Sequence, residues 1–193
     1  MRVNEIFYSL QGEGHFTGTP AIFIRLAGCN LRCGFCDTDH RAFRELSEED
    51  IMQAIAPYPA RHVVVTGGEP MLQLTPSLVE RLHRAGKFVQ VETNGTVPAA
   101  DALAVDWYTC SPKFDFCPDA PLRLQSVDEL KVVYCGQPME PYDGIAAKVY
   151  SLQPCDCSDA ARNAELLAAA IAYVEAHPRW TLSLQAHKLL YLR

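Results

Sequence analysis

The sequence predicts an α/β fold: a shortened, partly open (β/α) barrel that has lost some of its outer helices. Three observations carry this expectation. Short apolar runs rich in Val, Ile and aromatics recur along the chain, as buried strands require. Helical patterns fall between several of them, and alternation of this kind builds a parallel sheet with crossover helices. In the middle of the chain the helices give out, because the stretch 111–124 carries Pro112, Pro118 and Pro121 and makes a poor helix.

In order, strands are expected at 21–26, 62–66, 88–92, 105–109, 130–134, 148–152 and 181–184. The first helix, 47–56, opens on Ser47 and Asp50, spaced as in a capping box. The second, 75–85, stops before Gly86. The third, 160–176, is alanine-rich and halted near Pro178. With no linker, repeat or low-complexity tract, residues 1–193 are expected to form a single domain.

Composition bounds the function. The 193 residues are 49% hydrophobic and 21% charged with net charge −6, ordinary for a globular protein that buries a substantial core. The acidic balance lacks the basic footprint of a nucleic-acid binder. Neither a leader-like start nor an apolar run of about 18 residues is present, so no membrane partner and a cytoplasmic location are expected. Eight cysteines in such a chain read as reduced thiols and metal ligands rather than a disulfide framework.

The polar motifs fall just after the strands, where α/β folds place their active sites. Cys29, Cys33 and Cys36 follow the first run. Thr66-Gly67-Gly68-Glu69-Pro70, Glu92-Thr93-Asn94-Gly95, Ser111-Pro112-Lys113 and Gln153-Pro154 follow later ones. Three thiolates are one short of the four that usually hold an iron-sulfur cluster, which leaves one iron open for chemistry. A structural zinc completed by His40 is the competing reading of the same run. Gly67 and Gly68 suit either a strained turn or the close approach of a ligand to the backbone. Cys110, Cys117, Cys135 and the pair Cys155 and Cys157 read as small core residues.

The three-cysteine spacing followed by the GGEP motif resembles the radical S-adenosylmethionine (SAM) superfamily. Leu10-Gln11-Gly12-Glu13-Gly14, Arg25, Cys36-Asp37-Thr38, Glu92-Thr93-Asn94-Gly95-Thr96, Ser111-Pro112-Lys113, Gln153-Pro154 and Gln185-Ala186-His187-Lys188 are similar, in that order, to the 7-carboxy-7-deazaguanine synthase family within it. The resemblance implies a ring-contracting lyase of queuosine and deazapurine biosynthesis. Its substrate would be 6-carboxy-5,6,7,8-tetrahydropterin, and ammonia would leave. SAM, cleaved by the reduced cluster to give a hydrogen-abstracting radical, would be regenerated.

Residue by residue, the resemblance implies a 4Fe-4S cluster on Cys29, Cys33 and Cys36, with SAM chelating the fourth iron. Gly68, Thr93, Asn94, Ser111, Pro112, Lys113, Gln153, Pro154, Cys155 and Asp156 would line the SAM site. Leu10, Gln11, Gly12, Arg25, Thr66 and the terminal carboxylate of Arg193 would meet the substrate. Thr38 would give Mg2+ a hydroxyl ligand, and Glu13 and Glu92 are the candidate acid-base groups, with Asp37 beside them. Arg25 could alternatively serve a structural ion pair. A flavodoxin or ferredoxin electron donor and a homodimer are also implied. Two other readings remain at this point: a small radical SAM enzyme that activates a glycyl-radical partner, and a zinc-stabilised binding module without catalysis.

Overall fold

The computed structural model describes residues 1–34, 36, 38–98, 103–117, 120–124 and 126–192. They form one nine-stranded sheet in the order β3-β1-β2-β4-β5-β6-β7-β8-β9. The strands are β1 (Arg2–Leu10), β2 (Pro20–Leu26), β3 (Arg44–Glu45), β4 (His62–Gly67), β5 (Phe88–Thr93), β6 (Trp107–Cys110), β7 (Ser126–Tyr134), β8 (Ala146–Pro154) and β9 (Trp180–Leu182). From β2 onward every neighbouring pair is parallel. β1 instead runs antiparallel to β2 and β3. The sheet is open: β3 and β9 are its two edges.

β1 is absent from the sequence expectation because it is only half buried; Arg2, Asn4 and Glu5 interrupt its apolar positions. β6 starts two residues later than expected. Asp106 turns away there, its carboxylate accepting the Val89 N–H at 2.7 Å and meeting His83 at 2.8 Å. β7 and β8 begin earlier than expected, at Ser126 and Ala146.

The helices are α1 (Glu48–Ile55), α2 (Pro76–Arg84), α3 (Ala160–Ala176) and a short α4 (Ala186–Leu189). Ser47 and Asp50 cap α1 reciprocally, and Thr75 caps α2 with Pro76 in its first turn, so the backbone donors at both starts are satisfied. Among the described residues no helix lies between β5 and β6 or between β6 and β7. The outer layer is thus thinned where the prolines cluster.

Alternation along the strands sends Ile22, Ile24, Leu26, Val63, Val65, Val89 and Val91 to one face, where they pack with Ile51, Ile55, Leu78 and Leu82 from α1 and α2. Leu130, Val132 and Leu152 meet Ala170 of α3 and Trp180 in a second cluster. The opposite, inward face carries an apolar cluster at Phe7, Ala21, Phe23 and Val64 of β1, β2 and β4. Farther along it is polar and hydrogen-bonded. His62 donates to Gln90 at 2.7 Å, Gln90 to Thr109 at 3.0 Å, Thr109 to Glu129 at 3.0 Å and Ser151 to Glu129 at 2.5 Å.

The β1–β2 connection closes this interior from below and along its seam. Phe16 lies edge-on against His62, Phe88 and Trp107, at the first turns of three strands. The N–H groups of Gly14 and His15 donate to Ser183 and Glu129, both at 2.9 Å, and the Ala186 N–H reaches the Gly12 carbonyl at 2.8 Å. One loop therefore ties the first strands to the last and stands in for the missing wall.

Candidate active site

The loops leaving the carboxyl ends of the parallel strands surround one cavity of about 650 Å³. Cys29, Cys33 and Cys36 all border it. Cys29 and Cys33 are partly buried and Cys36 is exposed. The Leu31 N–H points at Cys29 Sγ at 3.4 Å and the Asn94 amide at 3.8 Å, donors that stabilise sulfur charge in an iron-sulfur ligand. Burial pushes the Cys33 thiol up to about 11, against the pull of the Lys113 ammonium, so loading with iron must displace its proton. Three thiols on one loop bordering one cavity, with N–H donors at Cys29, fit a three-cysteine 4Fe-4S cluster. His40 accepts the Gly28 N–H at Nδ1 and brings Nε2 to 3.7 Å from Cys36 Sγ.

The glycine pair after β4 has a specific backbone reason. Gly68 N–H bonds the Leu26 carbonyl at 2.8 Å and Glu69 N–H the Gly28 carbonyl at 2.9 Å. A Cβ on Gly68 would stand 1.9 Å from the Gly28 oxygen, so only glycine lets the loop lie against the segment that leads into the cysteines. Glu69 also has structural work that sequence reasoning missed. Fully buried, it accepts from Met71 N–H, Thr93 hydroxyl and Asn94 N–H at 3.0, 2.7 and 2.8 Å. Burial raises its pKa, and these bonds partly offset the rise. One carboxylate thus fixes the Thr93-Asn94 loop relative to the glycine loop.

Of the residues assigned to SAM, Gly68, Thr93, Asn94, Ser111, Lys113, Gln153, Pro154, Cys155 and Asp156 border the cavity, whereas Pro112 is buried and does not. Lys113 donates to the Ser111 carbonyl and hydroxyl at 2.5 and 2.6 Å, and burial lowers its pKa. Gln153 accepts from Ser183 at 3.0 Å. Burial pushes the Cys155 thiol up to about 12, and the neighbouring Cys135 thiol adds to the rise. Asp156 and Lys188 form an ion pair at 2.6 Å that holds the Asp156 carboxyl well below the usual carboxylate range. That pair joins the β8 loop to α4.

The residues assigned to substrate share this lining. Leu10, Gln11, Gly12, Arg25 and Thr66 border the same cavity, as do Glu13, Glu92 and Thr38. Arg25 makes the structural ion pair held open as an alternative, to Glu5 at 3.0 Å, and also reaches Thr38 at 3.4 Å. The ion pair leaves the side chain bordering the cavity. Arg193 and Asp37 lie outside the described residues.

The cavity lining also holds a residue that the sequence reading passed over. Lys131, read only as part of a buried strand, projects inward and is 5% exposed. It donates to Glu13 at 2.6 Å and stands 3.7 Å from Glu92. Gln185 donates to Glu13 at 2.9 Å, Gln11 to Glu92 at 3.0 Å and Thr66 to Glu92 at 3.1 Å. Burial alone would raise the Glu13 carboxyl, but the Lys131 ammonium overrides it and draws the pKa down to about 2. The signal was available: Glu129 and Lys131 are two apart in an otherwise apolar run, hence on one face.

Comparison with known proteins gives this geometry a context. The model of the Radical SAM superfamily matches residues 23–112. The chain is 47% identical over 192 residues to a 7-carboxy-7-deazaguanine synthase of Bacteroides thetaiotaomicron, covering 100% of this chain and 98% of that one. It is 40% identical over 215 residues to the enzyme of the same name from Bradyrhizobium diazoefficiens, covering 99% and 98%. Among solved structures it is similar to the crystal structure of QueE from Escherichia coli, with a TM-score of 0.77 and 31% identity over 96% of this chain and 94% of that one.

Proposed function

Because the chain belongs to the 7-carboxy-7-deazaguanine synthase family of the radical SAM superfamily, we propose that it converts 6-carboxy-5,6,7,8-tetrahydropterin to 7-carboxy-7-deazaguanine and ammonia. It is a radical SAM lyase of deazapurine biosynthesis that uses SAM and a 4Fe-4S cluster. Membership in this family does not favour a glycyl-radical activase or a zinc-stabilised binding module. The observation that supports the reading is one cavity bordered by Cys29, Cys33 and Cys36 together with Arg25, Glu13 and Glu92.

When bound, the cluster and SAM supply the radical that begins and, on SAM's regeneration, ends a conversion whose substrate atoms equal those of product plus ammonia. The chain's own residues do the rest. Cys29, Cys33 and Cys36 hold the cluster. Gly68, Thr93, Asn94, Ser111, Pro112, Lys113, Gln153, Pro154, Cys155 and Asp156 bind and orient SAM, the bordering side chains directly and Pro112 by stiffening the loop. Arg25 offers a planar fork to the substrate carboxylate, while Leu10, Gln11, Gly12 and Thr66 enclose the ring. Glu13 and Glu92 accept its donor groups and are placed to move protons as nitrogen leaves. Phe16 keeps bulk water from entering below.

Thr38 would give Mg2+ a hydroxyl ligand, and this ion seldom takes its ligands wholly from protein and usually keeps several waters. The reading also includes one catalytic domain over residues 1–193, a cytoplasmic location, a flavodoxin or ferredoxin as electron donor, and a homodimer. Leu189, Leu190 and Tyr191, exposed by 66%, 60% and 96%, give a second copy an apolar surface to cover. Among the described residues no helix is long and apolar enough to cross a membrane.

The test is an anaerobic assay with reductant, SAM, Mg2+ and the carboxypterin. The deazaguanine acid is the expected product; its absence, with activity on a glycyl-radical partner instead, would overturn the reading. Reconstituted protein should be brown with about four iron and four sulfide per chain, and a colourless sample with stoichiometric zinc would do equal damage. Cys33→Ala should lose the iron and its visible absorbance while keeping the far-ultraviolet dichroism of the wild type.

A further inference from the structure

The buried ammonium of Lys131 is costly to maintain, since taking a charge from water is repaid only by close partners with good geometry. Well-packed apolar residues would serve a purely structural role at least as well. Here the partners are two carboxylates that both border the cavity. Four contacts define how they stand. Gln185 donates to Glu13 Oε1 and Lys131 to its Oε2, while Gln11 donates to Glu92 Oε1 and Thr66 to its Oε2. Each carboxylate oxygen can accept more than one hydrogen bond. Glu13 and Glu92 side chains keep 18% and 22% exposure, so acceptor capacity remains toward the cavity.

We propose that Lys131 is a positioning residue that sets Glu13 and Glu92 as a paired acceptor for the amino edge of the substrate's pyrimidine ring, and thereby decides which rings the cavity admits. The inference rests on the pterin reading above and deepens it. A pterin presents ring N–H and 2-amino donors at one end and its 6-carboxylate at the other. Arg25 on β2 and Glu92 on β5 stand two strands apart, so their backbones lie about 10 Å apart at the usual strand spacing, and both side chains border the cavity. A ring with oxygen in place of the 2-amino group turns a lone pair toward carboxylates at that position. Rejection follows from unpaired and repelling groups, a stronger discriminator than shape.

The experiment uses anaerobically reconstituted holoenzyme with SAM and two fluorescent, unreactive probes: 6-carboxypterin and 6-carboxylumazine, which carries the 2-oxo group. Wild type should bind the pterin at least tenfold more tightly than the lumazine, about 1.4 kcal/mol. Lys131→Met leaves Glu13 buried without its partner, so the double variant Lys131→Met with Glu13→Gln is measured beside it. The double variant should bring the two probes within about twofold of each other with its Kd for SAM unchanged, and Lys131→Arg should restore most of the preference. Equal binding of the probes by wild type, or wild-type preference in the double variant, would overturn the role of Lys131. Failure of the pterin reading looks different: neither probe binds wild type and no deazaguanine acid forms.

Discussion

At the scale of single residues, chemistry that depends on rare side-chain types was legible, and chemistry that depends on distant partners was not. Three cysteines on one loop announce themselves by spacing, and a glycine pair by its backbone freedom. Lys131 and Glu13 are 118 residues apart in sequence, and only the curl of the sheet brings them to 2.6 Å. The pair has a measurable pH signature. The Glu13 carboxyl is held at about 2, below its ordinary 4.5, so its stabilisation is present above pH 4.5 and is lost as pH falls toward 2. The depression corresponds to about 3 kcal/mol. Acid titration of Glu13→Gln should show a shallower loss of stability across that window than wild type, and an identical profile would show that the pair does not couple to folding. Arg25→Ala should weaken substrate binding by about tenfold or more, as expected for a lost charge-assisted bond, and leave SAM binding within twofold. Equal losses in both would mean that the Glu5 ion pair is the whole of its role.

At the scale of elements, the strands with buried β-branched runs and the three longer helices lay where periodicity put them, because burial on one or both faces imposes that pattern directly. β1 escaped because an edge-side antiparallel strand needs few apolar residues. α4 escaped because a four-residue helix has no period to read. Local capping, by contrast, is written in adjacent residues. Ser47 donates its hydroxyl to Asp50 at 2.6 Å and its N–H to the same carboxylate at 2.9 Å, while accepting the Asp50 N–H at 3.1 Å. Ser47→Ala should cost about 1 kcal/mol in denaturant unfolding. Catalysis should be unaffected, since α1 packs on the outward face, away from the cavity.

At the scale of the whole molecule, the expectation of a shortened, partly open barrel holds, and the structure adds how the opening is managed. The sheet never closes by strand pairing. The loop from Gln11 to Gly18 bridges its first and last strands by hydrogen bonds and seats Phe16 under the interior. The residues proposed for substrate and the residues proposed for SAM border one and the same cavity, and Phe16 is not among its lining residues. A cavity shared by two reactants imposes a queue if the second to arrive covers the first. Saturating SAM should therefore slow carboxypterin association in stopped-flow fluorescence by about tenfold or more, within the range over which gated association rates vary. An association rate indifferent to SAM would reveal a second door. Phe16, which lines no part of that cavity, would thus shape the order in which the reactants meet by shutting the way in from below.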